Sequence, residues 1–432
     1  MSTVSNIAIV VGLAVVTCGA AAYPVSVYVG QGEFDKAIEK VNEKTFTYGD
    51  VTCKFKYTEK EKTFSSRKGD VLLTCNGLDT NIATTTSFSV LSANTEAVVD
   101  YNSPSFKELF KDDVVISDAN QPFNVDFSYL DKSVNVKKAF SKITYKNPNK
   151  ENQFIEARDV TIDTKGLIKG DKEANKSVIE LINTGKTDGN YAIKAKSIEY
   201  KDGNKEQILV DDLAFEGAFF SEGIPANGSL SFSNAVALQD NQQVAAFKNL
   251  MFATDILVGD KDTYGYKVGF SFDNLVISSK FNELASIKSK EDNYIDNFNA
   301  AISLVDVAKD DFELLLKDRD AAFEKMMLDP NKLMNIQIKD LSFKVNKSPL
   351  KVGGYVVMPY STAITENYMD PKIDMELNLD VSNKFIEDNF SSIKSFVDMS
   401  VAQGFVTKDG DSLKSKLKYN KGRITANDKK IM

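Results

Sequence analysis

The sequence predicts a β-dominated α+β protein. It would be built on long antiparallel meander sheets with an inserted helical segment and a C-terminal helix, preceded by one N-terminal transmembrane helix. Three observations predict this. Residues 1–32 carry no charged side chain. From about 45 to 278, apolar and polar residues alternate with the period of half-buried strands. From about 280 to 328, and again from 382 to 403, apolar positions recur three and four apart, the helical spacing. The 432 residues suffice for two or three domains. The composition marks out 1–32 as an anchor, 33–278 as a β-rich region, 279–330 as a helical segment and 331–432 as an α+β region packing on the same sheet.

The N-terminus comes first. Ile7 to Val29 is a mostly apolar run of 23 residues. As a helix it would span a hydrocarbon core of about 30 Å, with Ile7, Val10, Leu13, Val16, Tyr23 and Val29 inside or at the edge of the lipid. Three fates are open to it. It is an uncleaved signal anchor, a signal peptide cut near Ala20-Ala21-Ala22, or a lipoprotein signal modified at Cys18. The run is long for a cleaved h-region and has no basic n-region. Thr17 is bulky for a lipidation site. The anchor is therefore the leading reading. With no Lys or Arg before the run, charge does not orient it.

The other two cysteines do. Val51, Cys53, Phe55 and Tyr57 share one strand face, and Val71, Leu73 and Cys75 share another. An antiparallel hairpin centred near Phe64 sets Cys53 opposite Cys75. A disulfide there needs an oxidising compartment. The alternative is two buried thiols in a reducing one. The bridge, with the span, places the bulk of the chain in a bacterial periplasm, single-pass from the inner membrane.

Past the span, Phe34, Ala37, Ile38 and Val41 give Gly30–Lys44 the stripe of a short amphipathic helix. Strand patterns follow, among them Phe123, Val125, Phe127 and Tyr129, and Tyr264 to Phe272. Turn signals stand at Asp188-Gly189-Asn190, Asp202-Gly203-Asn204 and Gly259-Asp260-Lys261-Asp262. Tyr294, Ile295, Phe298, Ala301, Ile302 and Val305 form one helical stripe and Phe312 to Met327 a second, which predicts a helical hairpin or one bent helix, ended by Asp329-Pro330. Met334, Ile336 and Ile338 are out of phase with Leu341, Phe343 and Val345, which predicts a bulge at Lys339-Asp340. Ile373 to Val381 alternates strictly. Ser382 then caps an amphipathic helix through Ile386, Phe390, Ile393, Val397 and Val401, stopped by Gly404. Leu413 to Tyr419, a turn at Lys421-Gly422, and Ile424 to Ile431 close the chain.

Chemistry is sparse. There is no histidine and no tryptophan. Imidazole catalysis and His-held metals are thereby excluded. A net charge of −8 and only four arginines argue against nucleic acid. Thr184-Gly185-Lys186-Thr187 lacks the leading glycine of a phosphate loop. Asp260 to Ser271 lacks the Glu that closes a calcium loop. Glu291-Asp292 and Asp310-Asp311 sit where helix starts favour acids. No catalytic residue, cofactor or metal site is expected.

Two segments carry a resemblance. VYVGQGEFDKAIEKVNE (Val27 to Glu43) joins a span to a Tyr-x-Gly turn and a helix. LKYNKGRITANDKKI (Leu417 to Ile431) is strand, glycine turn, strand. With TFSSRKGDVLLTC between them, they resemble the YdgA-like family of bacterial envelope proteins. The resemblance implies an inner-membrane-anchored periplasmic protein with no catalytic residues to carry over. The Cys53/Cys75 pair is a departure from that pattern, and so is the absence of an apolar tail. The expected function is a non-enzymatic structural or interaction module of a larger envelope assembly, such as a motility, secretion or surface apparatus. The alternatives are lipid or apolar-ligand binding in a β-sheet groove, and a carboxylate-based glycan-cleaving enzyme. A groove predicts apolar strand faces with no helix opposite. A scaffold predicts that the stripes at 294–327 and 386–401 cover the sheet.

Overall fold

The computed structural model describes residues 31, 34–35, 38–39, 42, 45–48, 51–101, 103, 113–118, 120–128, 133–150, 152–168, 187–203, 205–219, 225–259, 263–284, 291–329, 331–361 and 372–431. The expected transmembrane run, with Ile7, Val10, Leu13, Val16, Tyr23 and Val29, lies outside the described residues. No described helix is long and apolar enough to cross a membrane. The chain divides into two compact units, Met1–Ala226 and Asn227–Met432. In each, antiparallel strands pair mainly with their neighbours in sequence.

The first unit is a meander of β1 (Thr45–Tyr48), β2 (Val51–Lys62), β3 (Ser66–Cys75), β4 (Leu78–Phe88), β5 (Ser92–Val99), β6 (Val114–Ile116), β7 (Phe123–Ser128), β8 (Ser133–Lys146), β9 (Gln153–Ile168), β10 (Thr187–Asp202) and β11 (Glu206–Phe219). Its order follows the chain except that β7 pairs with β5, and β6 lies beside the far half of β8. The alternation in β3, β5 and β7 buries every second side chain. Phe55, Val71, Ile82, Val99, Val125 and Phe127 form the centre of the core. Thr86 and Thr95 share a hydrogen bond of 3.0 Å inside it, which satisfies their hydroxyls without water.

Cys53 and Cys75 face each other in the β2–β3 ladder and form a disulfide. The hairpin that sets their register is the one the alternating pattern predicts. The closed loop has a sequence separation of 22, so the bridge contributes about 3 kcal/mol in the chain-entropy model. Replacing both cysteines by serine should lower the denaturant midpoint by a corresponding amount without changing the far-ultraviolet spectrum. Equal midpoints for wild type and variant would refute it.

Gln31, Phe34, Asp35, Ile38 and Glu39 are helical, with Phe34 and Ile38 buried on the hairpin. Ala37 and Val41 lie outside the described residues. Phe34 meets Tyr57 and Phe88 edge to face, with centroids 5.7 and 5.6 Å away. The Asn42 side chain accepts the Tyr57 N–H at 2.6 Å. The same hairpin buries Arg67, which is 1% exposed. Its guanidinium donates to Gln31 Oε1 (2.8 Å), Thr63 O (3.3 Å) and Asp35 Oδ2 (3.4 Å). Its Nε lies 2.9 Å from Glu59 Oε2 but off the N–H line, so that contact is ionic.

The second unit contains β12 (Pro225–Gln239), β13 (Gln242–Val258), β14 (Thr263–Ile277), α1 (Ser279–Leu284), β15 (Asn293–Ala308), α2 (Lys309–Lys317), α3 (Arg319–Leu328), β16 (Leu333–Val345), β17 (Ser348–Pro359), β18 (Asp374–Ser382), α4 (Asn383–Asn389), a 3₁₀ turn at Ser391–Ile393, α5 (Lys394–Gln403), β19 (Thr407–Asp409), β20 (Ser412–Asn420), β21 (Arg423–Ala426) and β22 (Lys429–Lys430). The strands run in chain order from β12 to β18. Then β20 pairs with β18, β19 and β21 share its other edge, and β22 closes the row. Asn–Asp side-chain hydrogen bonds cross several of the seams, at Asn249–Asp273, Asn274–Asp296 and Asn299–Asp340.

Three expectations are corrected here. The stripe Tyr294, Ile295, Phe298, Ala301, Ile302 and Val305 is strand β15, so the expected helical segment 279–330 holds helices only at α1, α2 and α3. One cause is a left-handed residue, Asn297 (φ 51°): the register with β16 shifts beside it, which sets Ile295 and Phe298 three apart. The other is that both faces of β15 carry apolar residues, Phe298 and Ile302 on one and Ala301 and Val305 on the other. Glu291-Asp292 accordingly precedes a strand, not a helix; Asp292 accepts the Ser279 N–H at 2.7 Å. Asp188-Gly189-Asn190 lies inside β10 rather than in a turn. A Cβ on Gly189 would stand 2.8 Å from Lys165 O, so the glycine serves close strand approach.

Other expectations are met. The bulge falls at Lys339, because Ala301 pairs with Asp340 while Ile302 pairs with Ile338. Ser382 Oγ accepts the Phe385 N–H at 2.9 Å. Gly404 ends α5 at φ 73°. A fourth correction lies between them: the expected single helix is two, α4 and α5, broken at Phe390.

Candidate functional site: an open apolar sheet face

The strand register of the second unit sorts its side chains into two unlike faces. On one, a row runs Thr254, Val268, Ile302, Ile338, Gly354, Leu377 and Leu417 from β13 to β20. A flanking row runs Phe252, Phe270, Ala300, Leu341, Val352 and Leu379, and another runs Ile256, Tyr266, Leu304, Ile336, Val356 and Met375. The opposite face carries Asp255, Lys267, Ser303, Gln337, Tyr355, Glu376 and Lys418. The contrast follows from the period-two alternation of an antiparallel sheet, and Ser303 on the polar face is fully buried.

Helices cap the apolar face at its two ends. At one, Ala322 and Met326 of α3, with Leu314 and Leu315 of α2, cluster with Tyr360 and Met334, and Phe312 stacks on Tyr264 at 5.4 Å. At the other, Phe385 of α4 meets Phe343 at 6.4 Å. Phe343 ends an aromatic ladder through Phe298 and Phe272, stacked at 5.7 and 5.0 Å. Between the caps the rows are half-buried, and Ile302 is 42% exposed. The open strip is about 29 Å long across seven strands and about 13 Å wide along them. The stripe at 294–305 does not lie over this face, because it is one of its strands. Along α4 and α5, Phe390, Ile393, Phe396 and Met399 point to solvent.

Polar clusters lie at the margins. Asp311, in the first turn of α2 as expected, is buried between Lys325 (3.0 Å) and Lys332. Burial works to raise its carboxyl pKa, but the two lysines outweigh that and hold it below the usual carboxylate range. A shallow hollow of about 400 Å³ lies mainly over the opposite face, floored by Ala253, Gly269 and Ala301 and walled by Met251, Asp255 and Lys267. Among the described residues, no group of three metal-ligating side chains forms. Cys53 and Cys75 stand in the first unit as a structural bridge. Phe270, Phe272, Phe298, Ile302 and Phe343 were visible in the sequence only as core positions. Their common face could be found only through the register shifts.

The first unit shows the same pattern more weakly. Tyr145, Ile155 and Ile208 fall on one apolar face and are exposed, as is Phe215. Elsewhere in this unit, Lys138 is buried between Phe123 and Phe140, with its Nζ 5.1 and 4.8 Å from the ring centroids. It donates to Gln121 O. Desolvation pulls its pKa down from 10.5 to about 8, with Asp118 opposing. The unfolded chain therefore binds more protons between pH 8 and 10.5, and stability rises with pH through that window. Lys138→Met should remove this rise, worth about 3 kcal/mol in full, and be the more stable protein at pH 7. Parallel pH profiles for the two would contradict it.

No family model, no curated protein and no solved structure matches this chain.

Proposed function

We propose that the protein is a non-enzymatic envelope protein that holds a lipid acyl chain along the apolar strip of its second unit. One observation carries the reading. Apolar rows span β13 to β20, and among the described residues helices pack only over their ends. Apolar surface of this extent on a water-soluble sheet marks a binding site. The strip exceeds the roughly 15 Å of one bilayer leaflet, so an extended chain fits across the strands. The apolar run Ile7–Val29, the Cys53–Cys75 bridge and the YdgA-like segments support a periplasmic protein held at the inner membrane, next to a lipid source.

A second reading, an interaction module of an envelope assembly, is favoured by the exposed Phe390, Ile393, Phe396 and Met399. Native mass spectrometry of the chain from envelope in mild detergent, with displacement by a dansyl-labelled fatty acid, separates the two. The lipid reading expects a bound lipid and a loss of at least about tenfold in affinity for Ile302→Glu, or 1.4 kcal/mol, with Phe396→Glu unaffected. A bare chain, or one whose fatty-acid binding ignores Ile302→Glu, removes the lipid reading.

A further inference from the structure

We infer that two hairpin tips of the first unit form a second membrane contact, dipping into the lipid interface beside the N-terminal run. The tips are Thr63-Phe64-Ser65-Ser66, between β2 and β3, and Ser89-Val90-Leu91-Ser92, between β4 and β5. Among the described residues of this unit, they carry the most exposed large apolar side chains: Phe64 at 70%, Val90 at 64% and Leu91 at 54%. Phe88 N donates to Ser65 O at 2.8 Å, so the tips are side by side.

Both tips have the same construction. In the first, Thr63 N donates to Ser66 O (2.9 Å), Ser66 N to Thr63 Oγ1 (3.0 Å), and the two hydroxyls bond at 2.7 Å. In the second, Ser89 N donates to Ser92 O (2.8 Å), Ser92 N to Ser89 Oγ (3.0 Å), and the hydroxyls bond at 2.9 Å. Backbone groups that would be costly to strip of water are thus satisfied within each turn. The side chains that project beyond them are apolar.

Their position names the occupant. Gln31 Nε2 donates to Thr63 O (2.9 Å) and Phe64 O (2.5 Å). Only Gly30 stands between Gln31 and Val29, the end of the apolar run, a reach of at most about 7 Å. A run that leaves the bilayer at Val29 sets the tips at its edge. Phe, Val and Leu at the interface, with Lys62 beside them, are the chemistry of interfacial anchoring. The occupant is the bilayer surface. This rests on the run being membrane-embedded, and the test separates the two.

The chain has no tryptophan, so Phe64→Trp and Leu91→Trp each place a single reporter at a tip. Tyr145→Trp is the control. Ser92, Ser128 and Ser133 pair across β5, β7 and β8, so β8 starts at the tip end. Position 145 lies about 40 Å further along it. Full-length protein is reconstituted into vesicles of equal parts phosphatidylethanolamine and phosphatidylglycerol, doped with phosphatidylcholine brominated near the carbonyl. The expected result is blue-shifted emission and at least twofold quenching at 64 and 91, with 145 unquenched. Protein that fails to float with the vesicles overturns both the anchor and the inference. Protein that floats, but whose tip tryptophans are quenched by aqueous iodide and not by bromolipid, overturns the inference alone. Tips shielded from both quenchers are covered by protein, which also overturns it.

Discussion

Gly354→Ala should destabilise the second unit by about 4 kcal/mol, an exceptional value for one methyl group. Gly354 sits in the middle of β17 with φ +146°, a conformation that residues with a Cβ adopt only under strain. There is no room for the methyl either. Its Cβ would lie 1.9 Å from Glu376 O and 2.9 Å from Glu376 C, backbone atoms of the neighbouring strand that cannot swing aside. The position lies beside the Lys339 bulge, where the register between β16 and β17 slips. The close approach of β18 is what keeps the ladder whole there. Gly269→Ala is the control: its Cβ would find only Ala253 O, at 3.9 Å. It should shift stability by less than about 1 kcal/mol, through the unfolded chain. Denaturant titration of both variants checks this. A tolerated Gly354→Ala would mean that the strand pair relaxes where the structure holds it tight.

Asp35→Asn with Glu59→Gln should cost more than removing the arginine they face. The double change leaves the Arg67 guanidinium buried with only neutral partners, a loss of about 3–5 kcal/mol. Arg67→Met leaves two carboxylates that are 43% and 39% exposed and can be hydrated in place, and its apolar side chain fills the same site. Its cost should be about half or less. Both should release the helix that carries Phe34 and Ile38, so hydrogen exchange at residues 34–42 should rise in each. Urea midpoints give the ranking. If Arg67→Met proved the more damaging, the guanidinium's hydrogen bonds to Gln31 and Thr63, not its charge balance, would hold the helix.

What the sequence made legible was whatever depends on local pattern. Phe123, Val125 and Phe127 alternate because nothing interrupts β7. Cys53 and Cys75 could be paired because a short hairpin leaves one register. Ser382, Gly404 and the bulge at Lys339 announced themselves through capping chemistry and a phase slip. What failed was pattern across an interruption. Asn297 adopts a left-handed conformation in β15, and its phase slip, together with apolar Ala301 and Val305 on the other face, gives Tyr294 to Val305 the spacing of a helix. Misreading that stripe turned a floor strand of the apolar face into a cover for it. The openness of that face was thus hidden by one slip in a strand that is apolar on both sides. The burial of Arg67 gave no signal in the sequence, because its partners at Gln31, Asp35 and Glu59 come from a different element and from the strand opposite. Gly354 gave no signal, since a glycine's φ is not written in its neighbours.

The order of pairing also bears on how the chain gets built. Nearly every strand binds the one just before it, by a turn of a few residues in β2–β3, β4–β5, β16–β17 and β20–β21. Such closures cost little loop entropy and keep contact order low for an all-strand architecture. A chain emerging from a ribosome or a translocation pore can add one hairpin at a time to a growing edge, without waiting for its C-terminus. Among the described strands, the exceptions are β5 with β7, β6 with β8 and β18 with β20, where the chain must hold an unpaired edge across an intervening segment. Those seams are where assembly should pause, and where a chaperone that binds bare strand edges would find its opening.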